Sequence, residues 1–512
     1  MKKKISILLM LAMIASSAVT ASADAADDTM VVGIPALTES FDFFNTTNGY
    51  ESFSMAQVYD NLIRKDGEGN YVPGLADSYE IDDSAQVFTF HLNPDAKWTD
   101  GTPVTSADVA FSMEKLKESD YVSYIYEPIL DTIETPDDQT VIINLTKPSV
   151  SLMEYLANPY YSAVLSKAAY EEYGDQYGTS VDTIVSSGPY KLTEWNIGES
   201  MVYEANPDYY REAPAIGNVK LVVMNDSNSA MTALQTGEID TYFDDVPGVA
   251  RATVEGLDNV SIYDYTSTIL YCVFFNTQNG LFTDPNMRKA VALATNKDDY
   301  IIVGSEGYGQ PADYPGDRGN IGDPGLHGIW DENYAADLEA AKKLVEEAGH
   351  AGDSVVIKTY ASDPYPALAT VMQNALTQIG LNATVEQIER ATFIDTVLGK
   401  GDFEIQICRW AAATEDMDEI IYGSLHTDSI GTPGNWSFYE SPAEIDGLIE
   451  QAAAETDEAA RKELYGQVIQ NYIDDMVYVS LYYPTSSRAY SNELEIGDGL
   501  QKYDLFMYYS WK

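Results

Sequence analysis

The residue types that most often carry out chemistry are sparse in this chain. Its 512 residues include only four histidines and two cysteines. No HExxH helix, nucleophile elbow or phosphate-binding loop is present, so no enzyme is predicted and a secreted hydrolase is the least favoured function. The histidines and cysteines form no compact cluster, which argues against direct metal coordination but leaves a chelated metal open as a ligand. No cofactor is predicted. The histidines are His91, His327, His350 and His426.

The two cysteines lie in strand-like runs. Cys272 occurs in ILYCVFFN and Cys408 in IQICRWAAA. A disulfide between them would suit an exported chain, and two buried free thiols fit equally well. Sequence alone cannot decide, because a disulfide requires Cα atoms within bonding distance.

The region from about 338 to 407 alternates helical and strand patterns. Segments 355–360, 381–388 and 403–407 are predicted to be strands, and apolar residues at helical spacing fill the intervals. This order predicts a right-handed α/β unit, in which ligands bind outside the carboxyl ends of the strands. Trp410 follows the last strand, where it is either a packing residue at the sheet edge or an aromatic wall of a cleft.

The composition describes an acidic globular protein. The chain has 29 basic and 81 acidic residues and a net charge of −52. Such a charge opposes binding to nucleic acid or to an anionic membrane, and neither partner is predicted. With 45% hydrophobic residues, the chain is long enough to bury cores for two or three domains.

The N-terminus has the pattern of a secretory signal peptide. Three lysines at positions 2–4 precede an apolar run over 5–14, and small residues at 21–23 form a cleavage site. We therefore expect a signal peptide over residues 1–23 and a mature protein that is soluble at the periplasmic or extracellular face of the cell envelope. The first cysteine is Cys272, so no lipobox cysteine for a lipid anchor is expected.

Several motifs, taken in order, resemble one family. The stretch KWTDGTPVTSADVAFSMEK over 97–115 includes a capping box formed by Thr105 and Asp108, and SGPYKL begins at Ser187. Together with NPDYY from Asn206, these motifs closely resemble the family 5 extracellular solute-binding proteins. That family delivers peptides, and in some branches nickel or sugars, to ABC importers.

The resemblance implies an α/β fold of the two-lobed periplasmic-binding-protein kind, type II-like, with an inserted mixed α/β subdomain and two hinge crossings. We expect a first lobe over 24–268, which includes the subdomain at about 60–180. A second lobe would follow over 269–483, and residues 484–512 would return to the first lobe. A strand over 477–483 is predicted to end at Pro484, at the return crossing.

The resemblance also indicates ligand contacts after the third strand of the α/β unit. Together with its position, it favours Trp410 as a cleft wall, followed by Ala412 and Ala413. In peptide-binding relatives an aspartate three residues beyond this tryptophan often receives the ligand's ammonium group, and here that position is Ala413. Glu415 or Asp416 could supply the carboxylate instead, although acidic clusters are more often solvated surface.

Two further loops are implied to face the cleft. Asn435 and Trp436 in GNWSFY resemble the family's asparagine-containing loop, where Asn435 either contacts peptide backbone or forms a turn. Tyr50 and Asn48 occupy the loop after the first strand, which faces the cleft in relatives, and the alternative is an ordinary surface loop.

The predicted function is therefore capture and delivery. We expect an exported receptor of an ABC importer that closes around an oligopeptide or dipeptide and passes it to the membrane permease. A chelated metal such as nickel, or an oligosaccharide, remains an alternative ligand on the same fold. The protein is expected to be a monomer whose lobes close by a hinge.

Overall fold

The computed structural model describes residues 29–45, 49–66, 69–119, 122–431, 434–496 and 505–512. The predicted signal peptide lies outside these residues. Among the helices of the described ranges, none combines the length and apolar character that a membrane crossing requires.

The chain up to Thr266 supplies most of the first lobe. Its strands are β1 (Thr29–Ile34), β2 (Ile63–Lys65), β3 (Tyr71–Pro73), β4 (Ala76–Ile81), β5 (Val87–Leu92), β6 (Leu130–Asp137), β7 (Thr140–Leu145), β8 (Tyr190–Asn196), β9 (Ser200–Ala205), β10 (Asn218–Val223), β11 (Thr241–Tyr242) and β12 (Val260–Thr266). Its α-helices are α1 (Gly49–Ala56), α2 (Ser106–Glu118), α3 (Ser123–Tyr126), α4 (Leu152–Ala157), α5 (Lys167–Tyr173), α6 (Ser227–Thr236) and α7 (Gly248–Glu255).

The remaining chain forms the second lobe and returns to the first. Its strands are β13 (Ile269–Phe275), β14 (Gly309–Pro311), β15 (Ser354–Tyr360), β16 (Asn382–Ile388), β17 (Ile405–Ala411), β18 (Tyr478–Ser491), β19 (Leu494–Glu495) and β20 (Ser510–Trp511). Its α-helices are α8 (Pro285–Leu293), α9 (Lys297–Ser305), α10 (Ile329–Tyr334), α11 (Leu338–Glu347), α12 (Tyr365–Gln378), α13 (Arg390–Phe393), α14 (Met417–Leu425), α15 (Ala443–Ala454) and α16 (Glu458–Asp475).

The first lobe is built on a mixed sheet with a smaller sheet beside it. The large sheet has the order β8-β9-β10-β1-β11, with β1 parallel to both β10 and β11. A separate antiparallel sheet, β4-β5-β7-β6, lies within the region predicted to be inserted. The capping box predicted for Thr105 and Asp108 is present at the start of α2, where the Thr105 N–H donates to the Asp108 carboxylate at 2.9 Å.

The second lobe contains the predicted α/β unit. Its strands have the order β16-β15-β17-β13, in which β15 runs parallel to β16 and β17 while β13 is antiparallel to β17. Helix α12 connects β15 to β16 and packs on that pair. The carboxyl ends of β15 and β17 therefore lie at the same edge of the sheet.

One long strand connects the lobes. The first part of β18 pairs with β13 as far as Tyr482, and its second part pairs with β12 from Thr485 onward. The prediction that the strand ends at Pro484 was wrong. Pro484 lies where β18 changes partners, and its carbonyl still accepts a hydrogen bond from the Ser267 N–H at 3.0 Å. The segment between β12 and β13 forms the other connection, so two crossings lie side by side.

Each lobe has its own hydrophobic core. One cluster joins the first-lobe sheet to the inserted sheet, and another fills the second lobe around β13, β17 and β18. Ala413 is an exception, because it belongs to the second lobe in sequence but packs in the first-lobe cluster. The lobes are therefore in contact in this structure.

Candidate ligand-binding site

A cavity of about 480 Å³ lies between the two lobes. The first lobe contributes Tyr160, Phe243 and Tyr263, and the second contributes the loop 412–415. Residues of both crossings, 266–268 and Ser486, also line it. The cavity is bounded by the hinge on one side and by the loop after β17 on another.

The loop after β17 is held by a residue that sequence reasoning missed. The Glu419 carboxylate accepts hydrogen bonds from the N–H groups of Ala413 and Thr414, both at 2.8 Å, and from the Thr414 hydroxyl at 3.0 Å. Burial raises the pKa of Glu419 to about 7, although these donors favour its charged form. The sequence signal that could have identified Glu419 is its position in the first turn of the amphipathic helix α14.

Ala413 contacts the first lobe directly. Its carbonyl accepts a hydrogen bond from the Asn158 amide at 2.8 Å, and its side chain is 7% exposed. An aspartate at this position would place a carboxylate in the apolar cluster of the first lobe, where an unpaired charge is costly. Ala413 and its neighbour Ala412 both line the interlobe cavity.

Of the two candidate carboxylates, Glu415 faces the cavity. Its side chain is 42% exposed, and its Oε2 atom lies 4.0 Å from the ammonium group of Lys65 in the first lobe. Lys65 itself is held more closely by Glu154, at 2.5 Å. Glu415 is therefore placed where it can meet a cationic group of a ligand.

Asp416 is engaged within the protein, and its role as an amine anchor stays a prediction. Its two carboxylate oxygens accept hydrogen bonds from the Arg461 guanidinium, each at 2.7 Å, and the residue is 2% exposed. It also caps α14 by accepting from the Asp418 N–H at 2.8 Å. The carboxylate is therefore buried and paired with Arg461 in this structure, unlike that of Glu415.

Two arginines that the sequence analysis did not select line the hinge side of the cavity. Arg318 donates to the Thr266 carbonyl at 3.2 Å, and its other terminal nitrogen is buried with no hydrogen-bond partner among the described residues. Arg488 is 9% exposed and its guanidinium lies 4.6 Å from the centre of the Phe243 ring. The sequence signal that could have identified these two arginines is their positive charge in a strongly acidic chain.

Three contacts join segment 147–151 to the second lobe, and we call this set the latch. The Ser151 hydroxyl donates to Asp418 at 2.8 Å, the Val150 N–H donates to the Ala453 carbonyl at 3.0 Å, and the Lys147 ammonium lies 4.1 Å from the centre of the Tyr422 ring. The latch therefore joins the lobes through contacts that are separate from the two crossing segments.

Trp410 does not line the interlobe cavity. Strand β17 continues to Ala411, so Trp410 lies inside the strand opposite Leu270 and not beyond its end. It is 7% exposed and packs against Gly423 of α14 and, at 4.9 Å between ring centres, against Trp436. The structure thus places the indole in the second-lobe core, and contact with a ligand remains a prediction.

A second cavity, of about 640 Å³, lies within the second lobe at the carboxyl ends of β15 and β17. Alternation along β17 directs Arg409 and Ala411 to this side, opposite to Trp410. Its other lining residues include Tyr271, Tyr360, Tyr365, Arg390 and Trp436. The sheet edge is therefore concave where the α/β topology predicted a ligand, but Trp436 alone among the predicted contacts lines it.

Asn435 is a turn residue and not a surface contact. It is 0% exposed, its amide donates to the carbonyls of Tyr439 at 2.8 Å and His426 at 3.2 Å, and its oxygen accepts from the Tyr439 N–H at 3.0 Å. These bonds hold the loop before α15. In this structure the amide is satisfied by the protein's own backbone, which favours the turn alternative, and contact with a peptide backbone stays a prediction.

Tyr50 lies in α1 near the interlobe cavity. It is half-buried, and its ring centre is 6.2 Å from that of Phe243, which lines the cavity. Burial raises the pKa of Tyr50 to about 12, with a further contribution from Asp244. Asn48 lies outside the described residues, so its role stays a prediction.

The two cysteines face each other across neighbouring strands. Cys272 on β13 is paired in register with Cys408 on β17, and both are fully buried free thiols. Burial raises the pKa of both thiols well above the ordinary value, so both are protonated at neutral pH. Pairing in an oxidising compartment remains a prediction.

Comparison with known proteins identifies a matching family and a relative of this chain. Residues 70–432 match the family described as bacterial extracellular solute-binding proteins, family 5 Middle. The periplasmic oligopeptide-binding protein OppA of Escherichia coli is 30% identical over 471 residues, which cover 86% of this chain and 84% of OppA. Both matches extend over the loop after β17 and over most of the second lobe.

Solved structures share the architecture. HbpA2 from Haemophilus parasuis is 22% identical, has a TM-score of 0.84, and the match covers 94% of this chain and all of HbpA2. DppA from Helicobacter pylori, solved in complex with the peptide STSA, is 26% identical with a TM-score of 0.75, over 94% of this chain and 98% of DppA. The predicted two-lobed α/β fold is confirmed.

Proposed function

This chain belongs to the bacterial extracellular solute-binding proteins of family 5, and from that premise we propose that it is the receptor of an ABC importer for oligopeptides or dipeptides. Members of the family are binding proteins, which is consistent with the prediction that this chain is not an enzyme. The peptide would occupy the interlobe cavity and be delivered to the membrane permease after the lobes close.

The observation that carries the proposal is the distribution of charge in that cavity. Glu415 presents a partly exposed carboxylate on the loop after β17, whereas Arg318 and Arg488 present guanidiniums beside the hinge. A peptide carries an ammonium group, a carboxylate and a polar backbone between them. A cavity with both signs of charge and with tyrosine and backbone groups complements all three.

The first test is to identify the solute that the protein carries. Native mass spectrometry of the mature protein, purified without refolding, should release peptides of mixed sequence on denaturation. Release of a metal chelate or a glycan, or failure of peptide mixtures to raise the unfolding temperature of an empty protein, would contradict the proposal.

The role of Glu415 is tested by calorimetric titration with a peptide found in that experiment. Glu415→Gln should weaken binding of the free-amine peptide by about tenfold, the loss of one charge-assisted hydrogen bond, and should leave its N-acetylated form nearly unchanged. Glu347→Gln, on the exposed face of α11, is the matched control. Equal weakening of both peptide forms would exclude Glu415 as the amine contact.

The lobe boundaries, the export and the oligomeric state are part of the same proposal. A lobe boundary near residue 268 is supported by the start of β13 at Ile269, and one near 483 by the change of partners within β18. Export after cleavage at residue 23 and a monomeric state are proposed with it. The mass of the mature protein should correspond to a chain that begins at Asp24.

A further inference from the structure

The second-lobe cavity has features that peptide-backbone recognition does not require. Three tyrosines form a continuous wall, with ring centres of Tyr271 and Tyr365 at 5.8 Å and those of Tyr360 and Tyr365 at 4.9 Å. Tyr271 is stacked on Tyr482 at 4.9 Å with an interplanar angle of 9°. The wall is therefore supported from behind and can hold a fixed shape.

Two arginines line this cavity and form no ion pair with a carboxylate among the described residues. Arg390 at the start of α13 and Arg409 on β17 are both exposed and both line the cavity. Neither forms an ion pair with a carboxylate anywhere in the described ranges of the chain. By contrast, Arg64, Arg211 and Arg251 each pair with an aspartate at 2.5 to 2.8 Å.

Tyr360, Arg390 and Arg409 all line this cavity. Burial raises the pKa of the Tyr360 hydroxyl, and Arg390 and Arg409 both oppose that rise. A cationic group lowers the pKa of a phenol only when it lies close to it. Asp363 also lines the cavity and is a carboxylate among its charged groups, so the two arginines leave a net positive charge.

This concentration of arginine is unusual in so acidic a chain. The sequence contains nine arginines, and four of them line the two cavities. A net charge of −52 repels anionic ligands from the protein as a whole. Local guanidiniums are therefore needed wherever an anionic group is to be bound, and both cavities contain them.

The two cavities are adjacent. Ala411 lines the second-lobe cavity and the next residue, Ala412, lines the interlobe cavity. Consecutive Cα atoms are about 3.8 Å apart, so the walls of the two cavities meet at the end of β17. A peptide seated between the lobes can thus place one side chain in the second-lobe cavity.

We infer that the second-lobe cavity is a subsite for an acidic side chain, held by Arg390 and Arg409 against the tyrosine wall, and that the receptor selects peptides containing aspartate or glutamate. Guanidinium groups bind carboxylates through paired, charge-assisted hydrogen bonds, and aromatic walls favour the aliphatic stem. This inference rests on the proposed peptide-binding function and adds a substrate class to it.

The test uses calorimetric titration of the full mature protein with matched peptides. Starting from a peptide that the protein binds, pairs of variants are made that carry either glutamine or glutamate at one position, and each position is tested in turn. Glutamate at one position should tighten binding by about tenfold over glutamine. Arg390→Gln and Arg409→Gln should each remove most of that preference while binding of the glutamine peptide stays within about twofold.

Controls separate the possible outcomes. Lys343→Gln removes one positive charge from an exposed helix and should keep the full preference, and circular dichroism melting verifies that each variant is folded. No preference for glutamate at any position, or a preference that survives both substitutions, overturns the inference. If amidation of the C-terminus alone abolishes the effect of the arginines, they bind the terminal carboxylate and the inference is also overturned. If no peptide binds at all, the proposed function itself fails.

Discussion

At the scale of single residues, neighbouring carboxylates after β17 have different roles. Glu415 faces the interlobe cavity, Asp416 is buried against Arg461, and Glu419 holds the backbone of the loop. The difference follows from what each side chain meets and not from its type. Substitutions at these positions should therefore affect different properties.

The ion pair of Asp416 with Arg461 should contribute strongly to stability. We expect Asp416→Asn to lower the free energy of unfolding by about 3 to 5 kcal/mol, because it leaves a buried guanidinium without its counter-charge. The neighbouring pair on α16, Lys462 with Glu458, is exposed, and Glu458→Gln should change stability by less than about 1 kcal/mol. Urea unfolding of the two variants makes the comparison, and equal effects would contradict the assigned role.

Asn435 should behave as a structural residue. Asn435→Ala removes three hydrogen bonds inside the protein, and we expect unfolding to become easier by about 1 to 3 kcal/mol, with ligand affinity of the folded protein unchanged. Asn228→Ala, at an exposed position of α6, is a suitable control. A variant that is stable but binds peptide weakly would restore Asn435 as a ligand contact.

Glu419 should make stability depend on pH. Its pKa is raised from 4.5 to about 7 in the folded protein, so the folded state binds this proton more tightly than the unfolded state. Its contribution to stability is therefore present below about pH 4.5 and is lost as the pH rises to about 7. The slope of unfolding free energy against pH should be smaller for Glu419→Gln than for the natural protein. Glu171→Gln, an exposed substitution on α5, should keep the natural slope.

At the scale of elements, the lobes are joined by a continuous strand at the hinge and by the three contacts of the latch. Strand β18 keeps its ladder through Pro484, so opening must twist β18 and the segment between β12 and β13. The latch depends on a few hydrogen bonds and can break without disturbing either core. It should therefore determine how much of the unliganded protein is closed.

This expectation is tested by Ser151→Ala. The substitution removes the hydroxyl that donates to Asp418 across the lobes, worth about 1 kcal/mol, and should shift the closed-to-open ratio about fivefold. Small-angle X-ray scattering should give a larger radius of gyration without ligand, and titration should give weaker peptide binding. Thr232→Ala, at an exposed position of α6 where the hydroxyl donates to the Asn228 carbonyl of the same helix, should change neither. An unchanged radius and affinity would mean that the latch does not control closure.

At the scale of the whole molecule, the net charge of −52 dominates the electrostatics. Self-repulsion of this size opposes the compact state, and salt screens it. We expect the unfolding temperature to rise as sodium chloride increases from about 0.01 to 0.5 M, over which the screening length falls from about 30 Å to less than 8 Å. Sucrose, which raises stability without screening, distinguishes charge screening from general solute effects. An unfolding temperature that stays constant with salt would show that repulsion between the acidic residues does not lower the stability of the folded protein.

Local sequence was sufficient to predict a structural feature wherever the residues that determine the feature are close together in the chain. The capping box of Thr105 and Asp108 spans three residues, and the strands at 354–360 and 382–388 follow from apolar alternation and the intervening helix. Motif order was sufficient for the family and the two-lobed fold. Net charge and the scarcity of histidine followed from composition alone.

Tertiary structure alone decided which partners each described candidate residue meets. Asp416 meets Arg461 45 positions later, and Asn158 meets Ala413 255 positions away, so neither contact leaves a local pattern. Strand β17 extends past its predicted end, which moves Trp410 into the core and directs Arg409 to the second-lobe cavity. A sequence therefore determines which residues are able to bind a ligand, whereas long-range packing determines which of them remain accessible to do so.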